Sequence, residues 1–341
     1  MTKYIILIIF LTNLYSSAQE KLIHGTPPPK PIEDSMIVDD GIRVSILGYH
    51  DFSDKQPPTE MRIETSKFRK QMETIRELGI KVISMEHFSA WKKEGREIPK
   101  KSIVITLDDG WKSVYTDAYP ILKEMGYPFT IYLYKNYVDG GGRALTTQMI
   151  KEMLDHGANI GSHSVSHPFP VTVKNYRKKS NDIYDTYLRK ELGESKRFLE
   201  SKFPLKINSY AYPGGFYTEE MIKLGEEFGY DYMFTVVPGK IKRTSVNSTL
   251  PRYIILGNHD SIFELATAFR EDQLATTIHP EIPQNTLFPV SPEAGAIINS
   301  RLPMISADLT TLENFNPATL SMRISGFGEV AATWGVAYCR I

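Results

Sequence analysis

The chain has 341 residues, of which 41% are hydrophobic, 23% charged and 11% aromatic. That is globular composition, and it excludes a mostly disordered, collagenous or multi-span membrane chain. Lys+Arg and Asp+Glu each number 40, so the formal net charge is zero and no basic field argues for a nucleic-acid partner. The single cysteine, Cys339, excludes a disulfide framework and a cysteine-rich zinc site, so any metal must be held by His and carboxylates.

In chain order, Lys3 precedes an apolar run from Tyr4 to Leu11, and Ser16-Ser17-Ala18 stands before Gln19. A positive residue, a short apolar stretch and a small-x-small site predict a cleaved signal peptide over 1–18. An uncleaved anchor is the alternative, although the run falls short of the roughly 20 apolar residues that cross a bilayer. Either way the mature chain is expected outside the cytoplasm: secreted, periplasmic or at the cell surface. Residues 19–41, with Pro27-Pro28-Pro29-Lys30-Pro31, predict an extended linker.

From Ile42 onward, short β-type runs alternate with amphipathic helical stretches. Strands are predicted over 43–47, 81–84, 102–106, 129–133, 159–161, 209–212, 232–236 and 253–256. The helices between and after them are predicted over 65–78 (opened by a Thr cap), 85–93, 113–125, 147–156, 181–202, 218–228 and 261–269. The run Ile103-Val104-Ile105 is continuously apolar, as in a strand buried on both faces. The repeated βα unit over 42–272 predicts a parallel sheet or barrel with its site at the C-terminal strand ends. After Gln273 the helical period is lost, and 281–341 is expected to be a small all-β, Ig-like sandwich segment. The chain stops just after such a strand, so that domain can be incomplete.

Five groups fall at predicted strand ends. Thr106-Leu107-Asp108-Asp109-Gly110 puts two adjacent carboxylates where alternation points them apart, which suggests separate tasks. His163 and His167, four apart around Ser164-Val165-Ser166, can converge on one metal, and Asp109 would complete a two-His, one-carboxylate set with open positions. Tyr212-Pro213-Gly214-Gly215 lets backbone N–H groups approach a ligand. Tyr49-His50 and Leu250-Pro251-Arg252 complete the series, with His259 a further candidate. Taken singly, each group is equally well an ordinary turn, cap or solvated pair.

Taken in order, these elements resemble the polysaccharide deacetylases (carbohydrate esterase family 4, the NodB-homology domain) over about 42–270. Within that family they look most like the secreted branch acting on exopolysaccharide poly-N-acetylglucosamine. The resemblance implies a distorted (β/α)7 barrel. It implies that Asp109, His163 and His167 ligate a divalent metal, usually zinc, and that Asp108 is the general base toward a metal-bound water attacking the acetyl carbonyl. Ser164 would brace the His loop, and the Gly214 N–H would complete the oxyanion hole. Many members carry an orienting Arg where Ala211 stands; in the exopolysaccharide branch that role falls to the Arg after Leu-Pro, here Arg252. The usual Leu-x-His acid is not clear, since Leu256-Gly257-Asn258-His259 is one residue too long, so His50 is expected to be the acid in preference to His259. Tyr49, Trp111, Tyr134, Tyr212 and Phe216 are candidates for stacking on sugar rings.

The expected partner is therefore an acetylated polysaccharide, with N-acetylglucosamine polymers first and O-acetylated xylan second. Two other classes compete. A non-haem Fe(II) oxygenase also uses two His and a carboxylate, but the predicted scaffold is parallel βα and no Arg for a second substrate is evident. A catalytically inactive glycan-binding protein would keep the fold while losing the ligands or base, all of which are present here.

Overall fold

The computed structural model describes residues 37–269 and, as backbone pairing alone, six short strands between 290 and 340. The expected signal peptide lies outside the described residues, as does most of the linker. The described C-terminal strands pair as three antiparallel ladders: Val290–Ser291 with Ser306–Ala307, Met322–Ile324 with Gly328–Val330, and Thr333–Trp334 with Cys339–Arg340. The sandwich expected there otherwise lies outside the described residues. Among the described residues, no helix is long and apolar enough to cross a membrane.

The apolar run around Val104 forms the centre of a parallel sheet. Strand β5 (Lys101–Asp109) is buried from Ser102 to Asp108 and pairs with β1 (Arg43–Tyr49) on one side and β6 (Phe129–Leu133) on the other. The sheet then continues through β7 (Ala158–Ser162), β8 (Ser209–Ala211) and β9 (Tyr232–Phe234), while β10 (Tyr253–Ile254) joins the free side of β1. β4 (Lys81–Val82) pairs with the start of β5 at Ser102 and Ile103, before β6 takes over at Ile105. Between β9 and β10 the barrel is closed by the segment leading into β10. There Thr235 N donates to Leu250 O at 2.8 Å, Leu250 N to Met233 O at 2.9 Å, and Arg252 N to Val237 O at 3.0 Å. The seven-strand path matches the expected distorted (β/α)7 barrel, the distortion being this irregular seam.

Period-two alternation sorts β5. Ile103, Ile105 and Leu107 pack with the helices, among them Phe68, Met72 and Ile75 of α1 (Thr65–Glu77). Val104 faces the interior with Val44, Ile46, Tyr132, Ala211 and Phe234, and α2 (Met85–Glu94) contributes Phe88 and Trp91 to that cluster. The remaining helices are α3 (Tyr119–Met125), α4 (Thr147–Leu154), α5 (Pro170–Arg177), α6 (Asn181–Arg189), α7 (Ser195–Lys202), α8 (Glu219–Glu227) and α9 (Ser261–Thr267).

Several boundaries differ from expectation. β5 runs on through Asp108 and Asp109 rather than ending at Thr106. The first helix begins after Glu64 with no side-chain cap, so the expected Thr cap is absent there. Helix 113–125 opens as a π turn, Val114–Ala118, before α3. Pro120 has no N–H to return to the preceding turn, and the winding relaxes just ahead of it. The expected helix 181–202 is α6 and α7 joined by a second π turn, Lys190–Glu194. Helix α5 and the two-residue pair β2 (Asp51–Phe52) with β3 (Arg62–Ile63) were not expected.

Candidate metal centre and active site

All strands of the barrel run the same way, so their C-terminal ends share one rim. Asp108 and Asp109 stand at the end of β5, and alternation separates them as expected. Asp109 has φ +74°, a left-handed conformation outside the β region. Its Oδ1 lies 3.5 Å from His163 Nε2 and 3.3 Å from His167 Nε2. Its Oδ2 accepts a 3.1 Å bond from Trp111 Nε1.

The two His follow β7 on a tight loop with Ser164 at φ +75° and His167 at φ +51°. Ser164 Oγ accepts from His167 N at 2.9 Å, the bracing expected of it. His163 Nδ1 donates to Ala211 O at 2.7 Å, which fixes that N–H and leaves the Nε2 lone pair toward Asp109. Burial, only partly opposed by Asp108, lowers the pKa of His163 to about 4, so it is neutral at neutral pH.

These three side chains suit a divalent cation. Their ligand atoms lie within 4.8 Å of one another. Asp109 Oδ1 is buried yet finds no hydrogen-bond donor among the described residues, an arrangement that costs free energy unless a positive charge sits there. Two imidazoles and one carboxylate are the donor set of a zinc-type site with open positions.

Asp108 is buried and held at both oxygens. Arg252 donates to Oδ1 and to Oδ2, each at 2.9 Å, from a position without solvent exposure. Arg252 is itself fixed: it donates to Thr235 O at 3.1 Å and Thr106 Oγ1 at 3.3 Å, and lies over the Tyr132 ring at 5.4 Å. Burial pushes the Asp108 pKa up, but Arg252, His163 and His50 outweigh it and hold the carboxyl at about 2. His50, just past β1, places Nε2 3.9 Å from Asp108 Oδ2, and its Nδ1 is buried without a partner among the described residues.

The turn Pro213–Gly215 follows β8, with Gly214 at φ +57° and Gly215 at φ +70°. Gly214 is exposed, and a Cβ there would meet only Pro170 Cδ at 4.0 Å, so its backbone is open to a ligand. His259 is exposed, 3.1 Å from Ser261 Oγ, and has no contact with Asp108. Two of the expected sugar-stacking residues are in the core instead. Tyr49 is fully buried and donates to Gln71 Oε1 at 2.9 Å, and Tyr212 is fully buried and donates to Ser248 O at 3.0 Å. The large apolar faces of these rings gain more by packing than the open rim offers. Trp111, Tyr134 and Phe216 remain partly exposed, and Phe169, which the sequence did not single out, is 70% exposed beside His167.

Comparison with known proteins bears on this geometry. A polysaccharide deacetylase family model matches residues 95–233. YxkH of Bacillus subtilis, which carries a polysaccharide deacetylase name, is 28% identical over 201 residues, covering 59% of this chain and 67% of that protein. The poly-beta-1,6-N-acetyl-D-glucosamine N-deacetylase of Staphylococcus epidermidis is 24% identical over 198 residues, 57% of this chain and 68% of that one. The structure of IcaB from Ammonifex degensii superposes with a TM-score of 0.57 at 22% identity, covering 67% of this chain and 98% of IcaB. Residues 95–233 thus match the polysaccharide deacetylase family model, and the chain shares its barrel fold with IcaB and is similar in sequence to deacetylases of that family.

Proposed function

We propose that this hydrolase removes the acetyl group from N-acetylglucosamine units of a polysaccharide, cleaving the carbon–nitrogen bond of the acetamide. We assign the catalytic domain to 42–272 and, from the N-terminal segment, place the mature protein outside the cytoplasm. Asp109, His163 and His167 hold a divalent cation, with zinc the first choice for this donor set. When bound, the cation supplies Lewis-acid polarisation of the acetyl carbonyl and lowers the pKa of a water molecule.

The remaining steps belong to the protein's own groups. Asp108, ionised at neutral pH, accepts the proton of the attacking water, and Arg252 fixes both of its oxygens so that the lone pairs keep one direction. The Gly214 N–H donates to the oxyanion that develops on the acetyl oxygen; one such donor contributes about 3 kcal/mol. His50 donates a proton to the departing nitrogen as the C–N bond breaks, giving acetate and a free amine. Trp111, Tyr134 and Phe169 at the rim offer apolar faces to sugar rings.

The observation that carries this reading is the Asp109 Oδ1 atom, buried, without a donor and facing two imidazole nitrogens, beside a second carboxylate fixed by Arg252. The test is acetate release from a panel of β-1,6- and β-1,4-linked N-acetylglucosamine oligomers and O-acetylated xylan oligomers. Release from N-acetyl substrates, reduced by about 10²–10⁴ in Asp108→Asn, is the expected result. Release from the xylan oligomers alone would make the chain an O-acetyl esterase. Release from none would leave a glycan-binding protein.

A further inference from the structure

Behind the His loop stands a carboxylate with no part in the chemistry above. Glu191 is 4% exposed and lies in the π turn Lys190–Glu194 between α6 and α7. Its Oε2 accepts from Val165 N at 3.0 Å and from Ser166 N at 2.9 Å, and its Oε1 accepts from Ser166 Oγ at 2.8 Å. All three donors come from the loop between His163 and His167. Among the described residues no Lys or Arg pairs with it, so its charge is met by that loop alone.

The loop needs such an anchor. Ser164 and His167 both have positive φ, which non-glycine residues adopt only when their surroundings hold them. Ser164 Oγ ties the loop to itself, and its carbonyls accept from Lys135 N and Asn136 N on the β6 side. Glu191 closes the other side with charge-assisted bonds, stronger than neutral ones. Burying an ionised carboxylate is costly, and here that cost is offset only when the loop holds the shape that brings His163 and His167 together. π turns are often found where a side chain must be aimed at a functional element.

We propose that Glu191 is a positioning residue for the metal centre: it preorganises the 163–167 loop so that the two imidazoles meet a cation at little further cost. The inference rests on the metal-dependent reading given above. It is tested on the full chain by zinc affinity, measured by chelator competition without substrate, and by hydrogen exchange at the amides of 165 and 166 in the metal-free protein. Glu191→Gln keeps the shape but removes the charge that strengthens all three bonds and leaves one acceptor oxygen in place of two. It is expected to weaken zinc binding about ten- to a hundredfold and to speed exchange of those amides. Ser166→Ala removes one bond of the three and is expected to weaken zinc binding less, in the same direction.

A purely structural role would lower the melting temperature of the metal-free chain and leave zinc affinity where it was. A folded Glu191→Gln chain that binds zinc within twofold of wild type overturns the inference. If Glu191→Gln does not fold, unchanged zinc affinity in Ser166→Ala does the same. A wild-type chain that binds zinc but releases no acetate removes the deacetylase reading and leaves the role of Glu191 to be decided by the affinities. A wild-type chain that binds no zinc overturns both.

Discussion

Asp108 and Arg252 stand together at the barrel rim because each would be untenable there alone. Both are buried, and the two parallel bonds between them leave neither charge unpaired. Arg252→Ala strands a buried carboxylate, and the expected loss of stability is about 3–5 kcal/mol, read by chemical denaturation. Arg252→Lys keeps the charge but reaches one oxygen, so the fold should survive while kcat/KM falls at least about tenfold. In both variants the Asp108 pKa rises, so the acidic limb of the pH–rate profile moves to higher pH. His163 gives a second pH effect. Its folded pKa, about 4, lies below the ordinary 6.5, so between those values the unfolded chain binds more protons and stability rises with pH. Asp108, lowered from 3.8 to about 2, works in the same direction further into acid. The melting temperature of the metal-free chain should therefore fall on acidification from pH 6.5 to 4, and less steeply in His163→Gln. An unchanged slope in that variant would show that His163 is not held neutral by burial.

The elements carry these residues through local conformations that few side chains tolerate. At the turn after β8, Gly215 has φ +70°, and a Cβ there would lie 2.4 Å from Val236 Cγ2 and 2.8 Å from Val236 N. Gly215→Ala must therefore displace the turn, and we expect loss of both stability and acetate release. Gly214→Ala meets open space and should cost only about 1–2 kcal/mol for its positive φ, measured by denaturation. This turn was legible in the sequence because Pro-Gly-Gly has few other uses. The Ser164 brace was legible only through the family resemblance. Glu191 was not legible at all: it lies far along the chain from the His pair, in a stretch whose apolar period predicts a plain helix, and the π turn that aims it leaves no mark in composition. Helix α5 was missed for a related reason. Pro170-Val171-Thr172-Val173 has β-type composition, but Pro at the first turn is compatible with a helix and Val173 is buried against the core. The break before α3 has a visible signal in Pro120.

At the scale of the whole molecule, the parallel barrel turns residues distant in sequence into one site. The βα alternation and the order of the motifs were enough to place His50, Asp108, Asp109, His163 and Gly214 on one rim, because parallel strands bring all their C-terminal ends together. Arg252 arrives differently. Tyr253 is level with Leu47, and Leu47 with Ile105, so Arg252 starts below Asp108 and its long side chain reaches up past Thr106. No strand pattern announces that reach; only the family resemblance pointed to it. Tyr49 and Tyr212 show the opposite limit, since an aromatic near a strand end can face the core or the rim, and sequence alternation over so few residues does not decide which. The central claim is that Asp109, His163 and His167 hold a metal that hydrolysis requires. Its most direct test is acetate release from N-acetylglucosamine oligomers by the metal-stripped chain as zinc is added back, with Asp109→Ala alongside. Activity that is absent without metal, rises to a plateau near an equimolar amount of zinc and stays absent in Asp109→Ala is the expected result. Undiminished release by the stripped chain would contradict the account.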